Sequence, residues 1–592
     1  MKLFVCLVLF LLFIPIVIAK EYHLPLLAVK ETEGGFKGST ADLYLEVKEG
    51  RGRVFLETYP LTKLDTQMST RFAKEIACSE LDYDCNKFDF IYTIKSSSVI
   101  VGGPSAGAAI TLVTIAALED LDINNNITIT GTINSGGLIG PVGGLKEKIE
   151  AASDVGIKKV LIPNGEIVVE EGNISVLDEN SNESEKNISK INLFDYGKKL
   201  GIDVIEISTV KEALVYMTGK NIQDSNNSLE IDKKYLETMK SVTEDLCRRS
   251  KDLIDKTAKI NLTKYEKDIF ENSLNLTERS KKAFESEKYY SAASYCFGAN
   301  TKLSYLILKN SSLTNTQILD KITEVKSSIK KKDLELENKT IRTITDLETY
   351  MIVKERLNEA EESINKVLEL KNLTEKIENI AYSVERLNSA DSWSSFFDKG
   401  TKEYSINSDQ IKDSCINKIY EAEERNEYLK LLTEIALEST QMDIDAAKKD
   451  FENKSYELCL FKASKAKAES DVILNTLGTE ESDLKETTEK RLEVIRNNII
   501  KEQKKGIFPV VGYSYYEYAD DLKDNDIYSS MLFTEYSLEL SNLDIYFKKD
   551  GKNVNFMLIL EKNIMKTVIF AFSLGILIGI NIGKINSKNH RK

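Results

Sequence analysis

The chain has 592 residues, more than one hydrophobic core normally serves, so the length predicts roughly two to four domains. Its net charge of −14 argues against nucleic acid as a partner, because phosphates require a basic surface. It has two histidines, His23 and His590, so an HExxH zinc site is excluded and a Ser–His–Asp triad would have to use one of them. A hydrolase of this composition is expected to use another base.

The first 19 residues have the pattern of a signal peptide. Lys2 precedes an unbroken apolar run over 3–19, and Val17-Ile18-Ala19 forms a small-residue cleavage site ahead of Lys20. An uncleaved membrane anchor is the alternative interpretation.

Residues 20–220 mix short strand-like runs with helical stretches, which predicts an α/β (α+β) domain. The polar segment 178–190 is interpreted as a surface excursion within it. The predicted strands are 42–47, 53–57, 90–94, 127–130, 159–162 and 203–207, and the predicted helices include 65–77 and 105–121.

A linker at 221–229 precedes a charged, glycine-poor region, 230–505, whose periodicity predicts helices of a coiled-coil-like kind. Within it, 280–294 resembles 447–461 at an offset of 167 residues. A duplicated helical hairpin, with disulfides Cys247–Cys296 and Cys415–Cys459, would explain this resemblance. Chance similarity between two amphipathic helices is the alternative.

The C-terminal part predicts a membrane anchor. A tyrosine-rich membrane-proximal segment, 506–560, leads to 17 mostly apolar residues at 567–583 and a basic tail at 584–592. The apolar stretch would span about 25 Å as a helix, and the basic tail predicts a cytoplasmic C-terminus with everything before the helix outside. The glycines of this segment lie four residues apart, which favours helix self-association: Gly575, Gly579 and Gly583.

A serine surrounded by small residues lies at a predicted strand-to-helix turn. The stretch GGPSAG at 102–107 precedes an apolar helix, so the Ser105 hydroxyl would be exposed beside backbone N–H groups at a helix N-terminus. A tight turn capped by Ser105 is the alternative interpretation.

A second helix, predicted from about 145 to 156, places a lysine on its apolar face. Lys148 shares that face with Leu145, Ile149, Ala152 and Val155 at helical spacing. Burial there would lower the lysine pKa and make it a base, whereas a lysine that reaches solvent is the alternative.

The stretches GGPSAG, ITGTINSGGLIGPVGGLKEK at 129–148 and IKKVLIP at 157–163 resemble the proteolytic domain of Lon-type peptidases. The resemblance covers about 21–220 and is greatest to the archaeal membrane-associated branch that lacks an ATPase. It implies that Ser105 is the nucleophile, that Lys148, 43 residues later, is the general base, and that Thr130 orients the lysine. It also implies an oxyanion site at backbone N–H groups of Ser105 or Ala106.

Two positions depart from the family pattern. Gly102 stands where an acidic residue often precedes GPSAG, and Thr132 stands where the family usually has Glu.

No P-loop sequence, GxxxxGK followed by Ser or Thr, occurs in the chain. The expected chemistry therefore needs neither nucleotide nor metal, and no cofactor is predicted.

These features predict a membrane-anchored, ATP-independent serine endopeptidase that cleaves unfolded or flexible protein segments through a Ser–Lys dyad and an acyl-enzyme. One alternative is a non-catalytic Lon-like scaffold with a helical partner-binding ectodomain. Another is a surface structural protein built around the helical region.

Overall fold

A computed structural model describes residues 20–32, 35–62, 64–101, 104–171, 189–220, 228–404, 406–433, 438–476, 481 and 484–547. The predicted signal peptide, transmembrane helix and basic tail lie outside these residues. Within the described ranges, no helix is both long enough and apolar enough to cross a membrane.

A four-stranded sheet begins the N-terminal domain. Its spatial order is β1-β2-β4-β3, with β3 parallel to β4 and the other pairs antiparallel. The side chains alternate between a buried face and a solvent-facing one, as in a sheet covered on one side. The strands are β1 (Tyr22–Thr32), β2 (Gly35–Glu49), β3 (Val54–Thr62) and β4 (Phe88–Val101).

Two helices cover the buried face of this sheet. They are α1 (Leu64–Leu81) and α2 (Gly107–Leu118), and every residue of α2 is buried. Such a helix, apolar on all sides, belongs in a domain core. Because β4 ends at Val101, the chain enters α2 through the turn that carries Ser105.

A second, parallel sheet has the order β11-β8-β5 and completes the α/β (α+β) domain that the sequence predicts. Between its strands lie a short hairpin, β6–β7, and the helix that carries Lys148. In chain order the elements are β5 (Ile127–Ile129), β6 (Thr132–Ile133), β7 (Ile139–Gly140), α3 (Leu145–Asp154), β8 (Lys159–Pro163), β9 (Val168–Glu171), β10 (Ser189–Asn192), α4 (Leu193–Leu200), β11 (Asp203–Ile207) and α5 (Val210–Thr218).

The rest of the described chain is helical. Its helices are α6 (Lys233–Thr257), α7 (Lys264–Glu285), α8 (Tyr289–Asn310), α9 (Asn315–Glu337), α10 (Ile344–Lys366), α11 (Leu373–Trp393), α12 (Ser408–Thr433), α13 (Glu438–Glu452), α14 (Tyr456–Thr476), α15 (Leu484–Lys504), α16 (Val510–Leu522) and α17 (Ile527–Leu540). They share buried cores rather than forming the coiled-coil-like seam that the charge pattern suggested. The largest of these cores runs from Tyr235 to Phe547 and also includes Leu138 of the N-terminal domain.

These helices form two units with the same packing, α6–α11 and α12–α17. In each unit the third helix packs on the first, second and sixth, and the fifth packs on the sixth. A disulfide joins the first helix to the third in both, as Cys247–Cys296 and Cys415–Cys459. This correspondence favours duplication over chance similarity. A third disulfide, Cys78–Cys85, lies in the N-terminal domain.

A buried glutamate on the sixth helix marks the same place in each unit. Glu385 accepts a hydrogen bond from Ser304 at 2.5 Å, and Glu539 accepts one from Lys467 at 2.7 Å. Ser304 and Lys467 both lie eight residues after the cysteine of their helix. The two units therefore correspond in buried polar detail as well as in topology.

The tyrosine-rich segment belongs to the helical core where the structure describes it, up to residue 547. Tyr513 and Tyr515 of α16 and Tyr536 of α17 are buried. The ring of Tyr235 lies 5.0 Å from those of Tyr513 and Phe508. Residues 548–560 of the proposed membrane-proximal segment lie outside the described ranges.

Candidate active site

Ser105 lies in a short 3-10 turn, Pro104–Ala106, directly before α2. Pro104 and α2 are buried, whereas Ser105 is half-buried, so its hydroxyl lies where the core meets solvent. The first N–H groups of a helix lack intrahelical acceptors, and the Ala108 N–H donates instead to the Gly131 carbonyl at 3.1 Å. Ala106 stands at the N-cap of α2, the place expected for the oxyanion donor.

Lys148 is buried on α3, with 2% of its surface exposed. Leu145, Ile149 and Ala152 are buried beside it, as the helical periodicity predicts. Val155 is 54% exposed, because α3 ends at Asp154 and the chain turns away before Val155 can join the apolar face.

Burial lowers the pKa of Lys148 from 10.5 to about 7, although the carboxylates of Glu166 and Glu147 oppose this by raising it. A large share of the lysine is therefore neutral near physiological pH. A neutral amine has a lone pair and can accept a proton, which a solvent-exposed lysine rarely does.

Thr130 links the lysine to the serine turn. The Lys148 amine donates to Thr130 Oγ1 at 3.1 Å, so an N–H is used for orientation while the lone pair stays available. The next residue, Gly131, donates its N–H to the Ser105 carbonyl at 3.0 Å. The three predicted residues thus belong to one hydrogen-bonded neighbourhood formed by α2, α3 and the segment before β6.

The described residues contain no direct hydrogen bond between the Ser105 hydroxyl and the Lys148 amine; the lysine donates to Thr130. Catalytic hydrogen bonds are often long before substrate binds and shorten in the substrate complex. The site therefore combines a buried lysine amine that Thr130 already orients with a half-buried serine.

Glu166 is a site residue that the sequence analysis did not identify. It follows β8 and accepts a backbone hydrogen bond from Val142 in the loop that leads to α3, and burial raises its pKa to about 8. Lys148 acts against this shift, so the two groups interact electrostatically. The local feature that points to Glu166 is the tight turn Asn164-Gly165, in which Gly165 has φ 89°. This turn after β8 brings the Glu166 side chain back towards the lysine.

The described residues around Ser105 and Lys148 do not form a grouping of metal ligands. Within the described ranges, no three or more His, Cys, Asp or Glu side chains are grouped so that they could hold an ion. Thr132, where the family usually has Glu, is 1% exposed, and its hydroxyl has no hydrogen-bond partner among the described residues.

Comparison with known proteins locates the similarity in this domain. Residues 74–178 match the Lon protease (S16) C-terminal proteolytic domain. The chain is 31% identical over 121 residues to the Lon protease of Elusimicrobium minutum, covering 20% of this chain and 14% of that protein. It is 34% identical over 95 residues to the archaeal Lon protease of Methanocaldococcus jannaschii (16% and 15%), and 46% identical over 61 residues to the Lon protease of Phenylobacterium zucineum (10% and 8%).

The chain therefore spans less than a fifth of the length of these curated relatives, and the similarity concerns the proteolytic domain alone. The matched residues include Ser105, Thr130, Lys148 and Glu166. The expected Lon-type proteolytic domain is confirmed to this extent, and it supports a serine peptidase. The membrane-associated branch without an ATPase stays a prediction.

Proposed function

We propose that the protein is a membrane-anchored, ATP-independent serine endopeptidase that cleaves unfolded or flexible polypeptide segments through Ser105 and Lys148. The observation that carries this proposal is that Lys148 is 2% exposed, has a pKa of about 7 and donates a hydrogen bond to Thr130. A solvated structural lysine would have none of these properties.

In the proposed mechanism, neutral Lys148 takes the hydroxyl proton as Ser105 Oγ bonds to the substrate carbonyl carbon. The oxyanion that forms accepts hydrogen bonds from backbone N–H groups at the start of α2, including that of Ala106. Collapse of this intermediate breaks the C–N bond, and protonated Lys148 gives its proton to the leaving amine. Water then hydrolyses the acyl-enzyme, with Lys148 again as the base, which releases the acid and restores the Ser105 hydroxyl.

Two features of the sequence support the rest of the proposal. The chain contains no P-loop sequence to drive unfolding, which favours substrates that are already unfolded or locally flexible. The apolar stretch at 567–583 and its basic flank favour a single-pass anchor with the peptidase outside the cell. Pairing of two anchors through the glycines of this stretch would bring two peptidase domains together on one membrane.

The test is the cleavage of unfolded casein by the full-length protein in detergent, without nucleotide or added metal. The parent is expected to cleave, Ser105→Ala is expected to be inactive, and ATP is expected to change nothing. Ser153→Ala is the matched control, since this serine lies on α3 but bonds to the Leu200 carbonyl. A folded parent without Ser105-dependent cleavage would instead favour the non-catalytic scaffold.

A further inference from the structure

The helical region contacts the hairpin β6–β7 of the N-terminal domain through one buried arginine. Arg425 of α12 is 4% exposed, and its Nη2 donates to the Ile133 carbonyl at 2.9 Å and also to the Asn134 side chain. Its Nε lies 3.1 Å from a carboxylate oxygen of Asp471 on α14. One guanidinium thus joins two helices to the backbone of this hairpin.

Other contacts hold the same hairpin and the helix beside it. Lys501 of α15 pairs with the buried side chain of Glu80 on α1 at 3.1 Å. At the hairpin turn, Gly136 has φ 70°, and an added β-carbon would lie 1.8 Å from Nδ2 of Asn498 on α15, so the two residues are in close contact. The hairpin is therefore enclosed by the helical region as well as by its own domain.

Packing contacts and backbone hydrogen bonds link the hairpin to Ser105 and Thr130. Ile133 packs directly against Gly107 at the start of α2, where an added β-carbon would lie 2.9 Å from its side chain and 3.1 Å from its backbone nitrogen. Ile133 also follows Thr130 by three residues, and Gly131 between them exchanges hydrogen bonds with Ser105 and Ala108. A displacement of Ile133 would therefore move Thr130 and the serine turn together.

We propose that Arg425 is a positioning residue of the peptidase, so that the helical region forms part of the catalytic unit rather than a separate stalk. The guanidinium fork suits this role because it bonds a carbonyl and a carboxylate at once in a fixed plane, which an ammonium group cannot do. Burying an arginine costs free energy unless its N–H donors are paired, and one donor of Arg425 is paired with the Ile133 carbonyl. The kinetic part of its test rests on the proposed function, because kcat and KM are those of the proposed peptidase.

The test compares Arg425→Ala and Arg425→Lys in the full-length protein, with a short peptide substrate. The control is Arg249→Ala, since the partly exposed Arg249 makes a bidentate pair with the buried Glu385 inside the first helical unit, at 2.6 and 2.5 Å. We expect Arg425→Ala to lower kcat by about tenfold to a hundredfold with KM changed less than about twofold, as for a misplaced catalytic group. We expect Arg249→Ala to change neither constant by more than about twofold.

Rescue experiments separate positioning from general destabilisation. Arg425→Lys is expected to recover part of kcat, and added guanidinium is expected to raise kcat of Arg425→Ala but not of Arg249→Ala. Hydrogen exchange of the amides in 131–140 is expected to be faster in Arg425→Ala and unchanged in Arg249→Ala. If Arg425→Ala does not fold, Asp471→Asn carries the same test, with a smaller change in the same direction.

Unchanged kcat and exchange in a folded Arg425→Ala, or an equal loss of kcat in Arg249→Ala, would overturn the proposal. A parent with no Ser105-dependent cleavage would instead refute the proposed function. In that case hydrogen exchange alone decides the positioning role, because protection of 131–140 does not depend on catalysis.

Discussion

The Lys148 amine donates a hydrogen bond to Thr130 Oγ1 across 3.1 Å, and both side chains are almost completely buried. A buried amine needs a partner, and Thr130 provides one without supplying the negative charge that would hold the amine protonated. The pair therefore combines orientation with basicity.

Replacing Thr130 by Val keeps the shape of the side chain but removes the acceptor of the Lys148 hydrogen bond. We expect kcat to fall by about tenfold to a hundredfold, because the amine loses its orientation. Thr130→Ser, which keeps the hydroxyl, is the control and should retain most of the activity. Full activity in Thr130→Val, measured with a short peptide, would show that the hydrogen bond is not needed.

Activity is expected to rise with pH through about 7, because only the neutral amine of Lys148 accepts a proton and its pKa lies there. The charged form of Glu166 raises the pKa of Lys148, but burial raises the pKa of Glu166 itself to about 8, so this carboxyl is mostly neutral near pH 7. Glu166→Gln should therefore move the acid limb of kcat/KM only slightly, to lower pH. Glu147→Gln should shift it in the same direction, because the Glu147 carboxylate also raises the pKa of Lys148. An acid limb that moves to higher pH in Glu166→Gln would contradict the proposed interaction.

Burial of Lys148 should also make the protein less stable than its methionine variant. The folded-state pKa lies below the unfolded value of 10.5, so the unfolded chain binds more protons between about pH 7 and 10.5 and stability rises with pH there. Lys148→Met should therefore raise the free energy of unfolding by up to roughly 4 kcal/mol at pH 7, and by less than about 1 kcal/mol at pH 10. Urea unfolding at both pH values measures this.

The surface variant Lys158→Met is the control for this measurement, since Lys158 is exposed. The gain in the free energy of unfolding of Lys148→Met should be smaller at pH 10 than at pH 7. An equal gain at both pH values would mean that it does not come from the deprotonation of buried Lys148.

The catalytic residues Ser105 and Lys148 and the supporting Thr130 could be predicted from sequence for two reasons. Ser105, Thr130 and Lys148 lie in short motifs whose spacing matches the Lon family, and the burial of Lys148 follows from the helical period of its own segment. The disulfides Cys247–Cys296 and Cys415–Cys459 were suggested by an internal repeat with an offset of 167 residues, and the structure contains both.

Glu166 and Arg425 could not be found in this way. Glu166 reaches the lysine through the return of the chain after β8, and Arg425 reaches Ile133 only because the helical region docks on the hairpin. Both contacts depend on packing between segments that are distant in sequence. An arginine among many charges on a helix gives no sign that it is buried, because charged helices are more often solvated.

The disulfide of the second helical unit should stabilise the protein more than the one in the N-terminal domain. Cys415 and Cys459 are 44 residues apart, whereas Cys78 and Cys85 are 7 apart, and a longer closed loop restricts the unfolded chain more. Replacing each pair by serines should lower the free energy of unfolding by about 4 and about 2.5 kcal/mol, respectively. A larger loss for the shorter loop in denaturant unfolding would contradict this order.

The most direct test of the account is to trap the acyl-enzyme. The full-length protein would be mixed with a peptide p-nitrophenyl ester at pH 8, quenched in acid and digested, and the acylated residue identified by mass spectrometry. We expect an acyl group on Ser105, none at position 105 in Ser105→Ala, and much slower acylation in Lys148→Met. A folded parent that carries no acyl group on Ser105, or that is acylated as fast in Lys148→Met as in the parent, would contradict the Ser–Lys dyad.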